Sequence, residues 1–164
     1  MSALHLEPWS DAGLDVLRRQ NTPAMTRHLG GPELEEAVGG RHQRYLHLED
    51  GEMMVVRLGE VAIGSIGYWA RSWDGHEVYE TGYAIFSEFG GHGYATAALR
   101  LVASRAALRA TRRHLHAFPR VDHAASNAVC RRAGFELVGT SSFEYPKGTW
   151  AESNDWRMDL TGLV

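Results

Sequence analysis

Residues 80–99 read Glu80-Thr81-Gly82-Tyr83-Ala84-Ile85-Phe86-Ser87-Glu88-Phe89-Gly90-Gly91-His92-Gly93-Tyr94-Ala95-Thr96-Ala97-Ala98-Leu99. The apolar run from Tyr79 to Phe86 has strand composition, and three glycines then fall within Gly90-Gly91-His92-Gly93. From Tyr94 the period changes. Ala95, Leu99, Val102 and Ala106 mark one apolar face at spacings of four, three and four, and Arg100, Ser104, Arg105, Arg109 and Arg112 supply polar surface. A strand, a glycine turn and a helix in that order have a physical use. The first turn of a helix presents unpaired N–H groups and the positive end of its dipole, and glycines let that backbone approach an anion. A diphosphate is the natural guest, although the same glycines also make a tight connection.

Two familiar phosphate motifs do not fit. Gly91-x-Gly93-x-x-Thr96 puts Thr where a dinucleotide fingerprint has Gly or Ala. About 20 residues on, where that fingerprint has a ribose-binding acid, stands Arg112-Arg113-His114. No Gly-Lys-Ser/Thr ends the turn, which excludes the nucleoside-triphosphate loop.

Outward from this stretch the chain alternates strands and helices. Leu4–Glu7 reads as a strand, and residues 10–20 and 33–45 have helical composition, with Pro23, Gly30-Gly31 and Pro32 between them. Glu52–Leu58 and Val61–Trp69 flank Gly59-Glu60 as a two-residue hairpin, and His76–Phe86 is the third consecutive strand. His114–Phe118 is a short strand before Pro119. Asp122 is placed to cap a helix reaching Ala133, with Gly134 as its left-handed stop. Phe135–Phe143 and Trp156–Leu160 complete a mixed sheet with helices on both faces, an α/β (α+β) architecture.

No repeat or linker divides the 164 residues, so one domain spanning 1–164 is expected. A hydrophobic fraction of 44% with 23% charged residues is that of a folding globular chain. Net charge −3 argues against a nucleic-acid binder, and no run approaches the ~20 apolar residues of a membrane span. The start Met1-Ser2-Ala3-Leu4 carries no basic leader, and Cys130 is the only cysteine, so a cytoplasmic protein without disulfides is expected.

The glycine turn with its strand and helix resembles the acetyl-CoA motif of the GNAT superfamily, Arg/Gln-x-x-Gly-x-Gly/Ala after the fourth strand. Ser126-Asn127-Ala128-Val129-Cys130-Arg131-Arg132-Ala133-Gly134-Phe135 resembles that family's second block, Asn-x-x-Ser-Asn-x-Val-x-x-Arg-x-Gly-Phe. Within the superfamily the chain is similar to the branch of the ribosomal-protein N-terminal acetyltransferases. The resemblance implies a single domain whose sheet, of about seven mostly antiparallel strands, splits between the fourth and fifth to take the pantetheine arm. It also implies an acetyl-CoA-dependent N-acetyltransferase with no metal. Its cofactor contacts fall on Ala84, Ile85 and Phe86, on Gly91, His92, Gly93, Tyr94, Ala95 and Thr96, and on His123, Asn127 and Arg132. Two positions depart from the pattern: Gly90 replaces the usual Arg or Gln, and His123 the usual Asn.

Acetyl transfer needs a neutral amine, and alkyl amines have pKa about 10. The resemblance puts Glu80 where several members carry the base that takes the proton, often through water; Glu77 and Asp74 are the alternative carboxylates. The departing thiolate needs a proton donor. Many members use a tyrosine where this chain has Cys130. Ser126, one turn earlier on the same face, holds the place assigned that role in the similar branch, or else only packs at the helix start. Cys130 reads as a small buried residue and transfer as direct. A backbone N–H near Ile85, at a bulge of the family strand, would meet the oxyanion. Arg131 and Arg132 face either phosphate or solvent. His114 and His116 alternate on one strand face but lack a third ligand, so no metal site is expected.

The acceptor pocket is expected from the first helices, residues 68–73 and the late loop 145–150, with Trp69, Trp73 and Trp150 as walls, core or homodimer contacts. The expected acceptor is a small-molecule primary amine. The alternatives are a protein N-terminus or lysine, and a regulatory module that binds acyl-CoA without turnover.

Overall fold

The computed structural model describes residues 3–163, so Met1, Ser2 and Val164 lie outside the described residues. Seven strands form one sheet: β1 (Leu4–Pro8), β2 (Gly51–Leu58), β3 (Val61–Trp73), β4 (His76–Ile85), β5 (His114–Ala117), β6 (Glu136–Glu144) and β7 (Trp150–Asp159), in the order β1-β2-β3-β4-β5-β7-β6. The α-helices are α1 (Gly13–Gln20), α2 (Glu35–Leu46), α3 (Tyr94–Arg109) and α4 (Ala124–Arg132). Every strand pairing is antiparallel except β4–β5, which is parallel and joined only at Tyr79↔Leu115 and Glu80↔His116. Beyond Glu80 the two strands part. This is the split expected between the fourth and fifth strands.

Helices α3 and α4 cover one face. Ala98, Leu99, Val102 and Ala106 of α3 pack with Met54, Tyr68, Tyr79, Leu115 and Trp156 in the main core, and Cys130 of α4 joins them. The face of α3 expected from spacing is the buried one, widened by Ala103 and Ala107; small side chains let the helix lie close to the sheet. On the opposite face α1 packs Val16 against Val55 and Phe86. Met53, Met54, Val55 and Val56 are buried in succession because β2 is covered on both faces. A bulge lies between Val56 and Arg57, where Val56 pairs Gly64 and Arg57 pairs Ala62. The extra residue Ile63 therefore leaves strict alternation and joins Ile66 and Tyr68 in the main core.

Gly59-Glu60 is the two-residue turn expected, with Leu58 opposite Val61. Four expectations are corrected. The first helix begins at Gly13 rather than residue 10. β3 runs on to Trp73, through a second two-residue turn at Asp74-Gly75 whose φ values are 50° and 76°. The last strand begins at Trp150, six residues before Trp156, as the second arm of a hairpin with β6. The cap of α4 is His123, whose side chain accepts from Ser126 N–H, and Asp122 does not cap it. Gly134, at φ 97°, stops that helix as expected, with Phe135 N–H bonding the Cys130 carbonyl at 3.0 Å.

Candidate active site

At the end of β4 the chain makes a short turn (Ser87–Phe89) and enters the glycines. Gly91 and Gly93 adopt φ of 78° and 79°, and a Cβ at either would meet nothing within 4 Å. The turn is thus an open concavity of backbone. The first helical bond of α3 runs from Ala97 N–H to the Gly93 carbonyl at 3.1 Å, which leaves Tyr94, Ala95 and Thr96 N–H without helical partners. No side chain caps this end and no acidic residue occupies its first turn, so its N–H groups are free to meet an anion. His92 stacks on Tyr94 at 5.5 Å. A cavity beside the turn is lined by Arg19, Thr22, Met25, Phe86, Ser87 and Glu88. Another, walled by Glu52, Tyr68, Arg105, Leu108 and Arg109, lies at the far end of α3, roughly 20 Å away at 1.5 Å per residue.

On the α3–α4 side of the split, Tyr83 of β4 reaches Ser126 of α4, hydroxyl to hydroxyl at 2.7 Å. Burial raises the Tyr83 phenol well above its ordinary value, and the adjacent Cys130 adds to the rise. Burial also pushes the Cys130 thiol up to about 11, against a lowering by Tyr83. Both groups are therefore protonated at neutral pH. Asn127 is buried and committed: its amide donates to the Arg120 and His123 carbonyls, each at 2.9 Å, and its oxygen accepts from Asn154 and Trp156, each at 2.8 Å. His123 stacks on His28 at 4.1 Å, and burial, then His28, hold its pKa below the ordinary value. Arg131 lies over the Trp156 ring at 5.4 Å, and Arg132 is exposed with its carbonyl bound by Arg100 at 2.6 Å.

No register shift interrupts β3–β4 pairing as far as Ile85, so the bulge expected there is absent. Phe86 N–H bonds back to the Ile63 carbonyl at 2.8 Å. Alternation then turns Ile85 N–H the other way, into the split.

The α1–α2 face differs in kind. Glu80 stands on the last β4–β5 rung, and its carboxylate is held by Arg71 at 2.5 Å. The Arg71 guanidinium lies over the rings of Phe118, Trp73 and Phe143 at 4.8, 5.1 and 5.2 Å. Trp69 covers Gly82, where a Cβ would come within 2.8 Å of its ring. On the same face His116 Nδ1 is 2.6 Å from Asp155, whose other oxygen accepts from Trp73 Nε1 at 3.0 Å. Burial, then Arg157, hold the His114 pKa down. Among the described residues no group of three or more His, Cys, Asp or Glu is placed to hold a metal. The tip between β6 and β7 reaches over this face. A Cβ at Gly30 would lie 2.7 Å from Pro146, and Arg120 donates to the Tyr145 carbonyl at 3.1 Å.

The split and the backbone concavity at its mouth are the geometry that the sequence resemblance anticipated. The family model described as acetyltransferase (GNAT) domain matches residues 3–136. The chain belongs to the GNAT acetyltransferase family. It is an acetyl-CoA-dependent N-acetyltransferase.

Solved acetyltransferase structures share the fold. RimL, a ribosomal alpha-N-protein acetyltransferase in complex with coenzyme A, is 22% identical with TM-score 0.80, over 97% of this chain and 95% of that one. Spermidine N-acetyltransferase from Vibrio cholerae, in complex with CoA and spermine, is 15% identical with TM-score 0.80, over 96% of each chain. An aminoglycoside acetyltransferase in complex with coenzyme A is 15% identical with TM-score 0.77, over 96% and 95%. No curated protein matches the sequence significantly. The GNAT co-substrate fits the turn on this chain's own features: open glycine backbone, free N–H groups and no acid in the first turn of α3. It supplies the acetyl group as a thioester.

Sequence reading passed over Tyr83, Arg71 and Asp155. Tyr83 lay inside the quoted motif, but its contact with Ser126 spans 43 residues. Arg71 and Glu80 are diagonal neighbours across a hairpin, since Glu80 pairs Trp69. Reading Asp74-Gly75 as a turn would have put them side by side.

Proposed function

We propose that this enzyme acetylates a small-molecule primary amine, working as one domain over residues 1–164. The observation that carries the choice of acceptor is the roof over the α1–α2 face. The β6–β7 tip meets the α1–α2 connection at Gly30 and Pro146, and Arg41 reaches Tyr145 at 3.5 Å. A floor of Trp69, Arg71 and Glu80 with that tip across it suits a compact amine better than a polypeptide.

Glu80 attracts the ammonium and takes its proton, directly or through water. Ser126, backed by the Tyr83 hydroxyl, gives a proton to the departing sulfur. The N–H groups of Gly91 to Thr96 hold the diphosphate, with His92 at the rim, and Arg132 meets an outer phosphate from its exposed position. Ala84, Ile85 and Phe86 line the split with backbone, and Ile85 N–H faces the developing oxyanion. Asn127 and His123 serve by fixing the start of α4. The lone buried Cys130 suits a reducing, cytoplasmic setting, and among the described residues no helix is long and apolar enough to cross a membrane.

A thiol-release assay with acetyl-CoA tests the reading against alkyl amines, polyamines, amino acids and short peptides with free N-termini. Small amines are expected to give the higher kcat/KM. Peptides outrunning them by tenfold would move the acceptor to protein. Tight coenzyme A binding with no turnover across the panel would leave a regulatory module.

A further inference from the structure

The proton count of the transfer exceeds what Glu80 alone accounts for. At neutral pH an alkyl amine enters as R–NH3+ and leaves as R–NH–CO–CH3, so nitrogen sheds two protons as the C–N bond forms and the C–S bond breaks. One proton ends on the thiol and one is released to water. Glu80 holds one at a time, and Arg71 already engages its carboxylate.

His116 stands on the same rung as Glu80, the last before the strands part, and neighbouring strands lie about 4.8 Å apart. The two share a face. Arg71, which binds Glu80, lies over Phe118, and Phe118 stacks on His116 at 5.7 Å. His116 and Asp155 are 5% and 7% exposed, and both carboxylate oxygens of Asp155 are engaged, one by Nδ1 and one by Trp73. A carboxylate on Nδ1 fixes the neutral ring as the Nδ1–H tautomer and leaves the lone pair on Nε2. Among the described residues Nε2 has no hydrogen-bond partner. Yet no sealed side-chain nitrogen or oxygen among the described residues lacks a partner, so Nε2 keeps a small accessible surface that a water can touch, although the residue as a whole is buried. The charged or titratable groups around the ring are Glu80 on β4, Arg71 on β3, His114 on its own strand, and on β7 Asp155 and Arg157, the latter opposite His116 in register.

We infer that His116 is a second proton acceptor of this transferase: Nε2 takes a proton from the acceptor nitrogen and passes it to the water of the site, from which Ser126 regains the proton it gives to sulfur, and Asp155 is its positioning residue. The inference rests on the amine-acetylation reading above. It divides the work: Glu80 makes the ammonium reactive, and His116 removes the proton that any acceptor, charged or neutral, must lose on acylation.

Two probes of similar shape separate these tasks in the full chain. Phenethylamine is an ammonium at neutral pH, whereas phenylacetohydrazide is already neutral and sheds one proton. With phenylacetohydrazide, Glu80→Gln should lose far less than it loses with phenethylamine, while His116→Gln should lose about 10²-fold in kcat. Both variants should be slow with phenethylamine. The rise of rate with pH should change in His116→Gln, and coenzyme A affinity by calorimetry should not. Asp155→Asn should also lower kcat with either probe, and imidazole nitrogen–proton NMR should show the Nδ1–H tautomer of wild-type His116 giving way to a mixture. That spectrum needs no turnover, and it carries the test should His116→Gln fail to fold. Normal hydrazide turnover in His116→Gln, or wild-type His116 as the Nε2–H tautomer, would overturn the inference. Wild-type protein inert toward both probes and the wider amine panel removes the transferase reading itself, and the inference with it.

Discussion

The two faces of the sheet solve different problems with different material. Around the split, the α3–α4 face offers backbone N–H groups, small side chains and hydroxyls, and its thiol and phenol are held protonated by burial. The α1–α2 face carries charge: Arg71 on Glu80, His116 on Asp155, and aromatic rings around the guanidinium. Backbone geometry suits an invariant diphosphate, because its donors are fixed by chain path. Side-chain charge suits proton movement, because only titratable groups move protons.

The contrast is sharpest if each face is broken separately. Gly93→Val should remove the anion concavity: a branched side chain at φ 79° is strained and stands before the free N–H groups. Loss of two charge-assisted hydrogen bonds, at roughly 1.5–3 kcal/mol each, predicts coenzyme A affinity weaker by about 10³-fold by calorimetry. Circular dichroism should still show a folded protein. Unchanged affinity would place the phosphates elsewhere.

Glu80→Gln should do the reverse. Turnover of an alkyl amine is expected to fall about 10²-fold while coenzyme A affinity holds, and the variant should need higher pH, since only amine already neutral in solution can react. Near-normal turnover at neutral pH would make Glu80 a bystander and return attention to Glu77. Arg71→Met should cost about tenfold in kcat with little change in cofactor affinity, because it unpairs Glu80 and empties the aromatic box. Equal loss in both measurements would mean that the faces are not independent.

Cys130→Ala should leave turnover within about twofold and cost about 1 kcal/mol in stability, as a buried atom is deleted. With its thiol pushed up to about 11, little thiolate exists at neutral pH, and mass spectrometry should find no acetyl-enzyme. The smallest expected effect is at His123. Its folded pKa lies below the unfolded value, so the unfolded chain binds the proton more readily, and stability falls as pH drops through the unfolded value near 6.5 and on through the folded one. His123→Asn keeps a capping side chain but cannot titrate. Its melting temperature should fall less than wild type between pH 7.5 and 5; parallel curves would clear His123 of any part.

What the sequence disclosed follows the same division. The glycine turn, the α3 face and the Gly134 stop are local, set by residue type and spacing within a few positions, and the structure has them where spacing put them. Non-local features were hidden. Residues 150–155 of β7 read as loop because Glu152, Ser153, Asn154 and Asp155 are polar. Asn154 and Asp155 are polar for a reason: they bond Asn127 and His116, 27 and 39 residues away. Asp122 looked like the cap of α4 by type, but an imidazole one residue later takes the N–H. Asp74-Gly75 was a legible turn passed over.

The meeting of β4 and β5 on two rungs also bears on how the molecule comes apart. Strands β1 to β4 form one antiparallel ladder, and β5, β7 and β6 form a second within the last third of the chain. Across the seam between them the backbone contributes little. Cohesion there falls to side chains such as Trp73 on Asp155 and Tyr83 on Ser126, and to α3, which packs against β1, β3 and β4 on one side and against α4 and the C-terminal turn on the other. Such a joint makes two cooperative units, and opening that starts at Leu115 and His116 would part the halves before either ladder unravels. The helix that begins at the glycine turn is thus also the clasp of the fold.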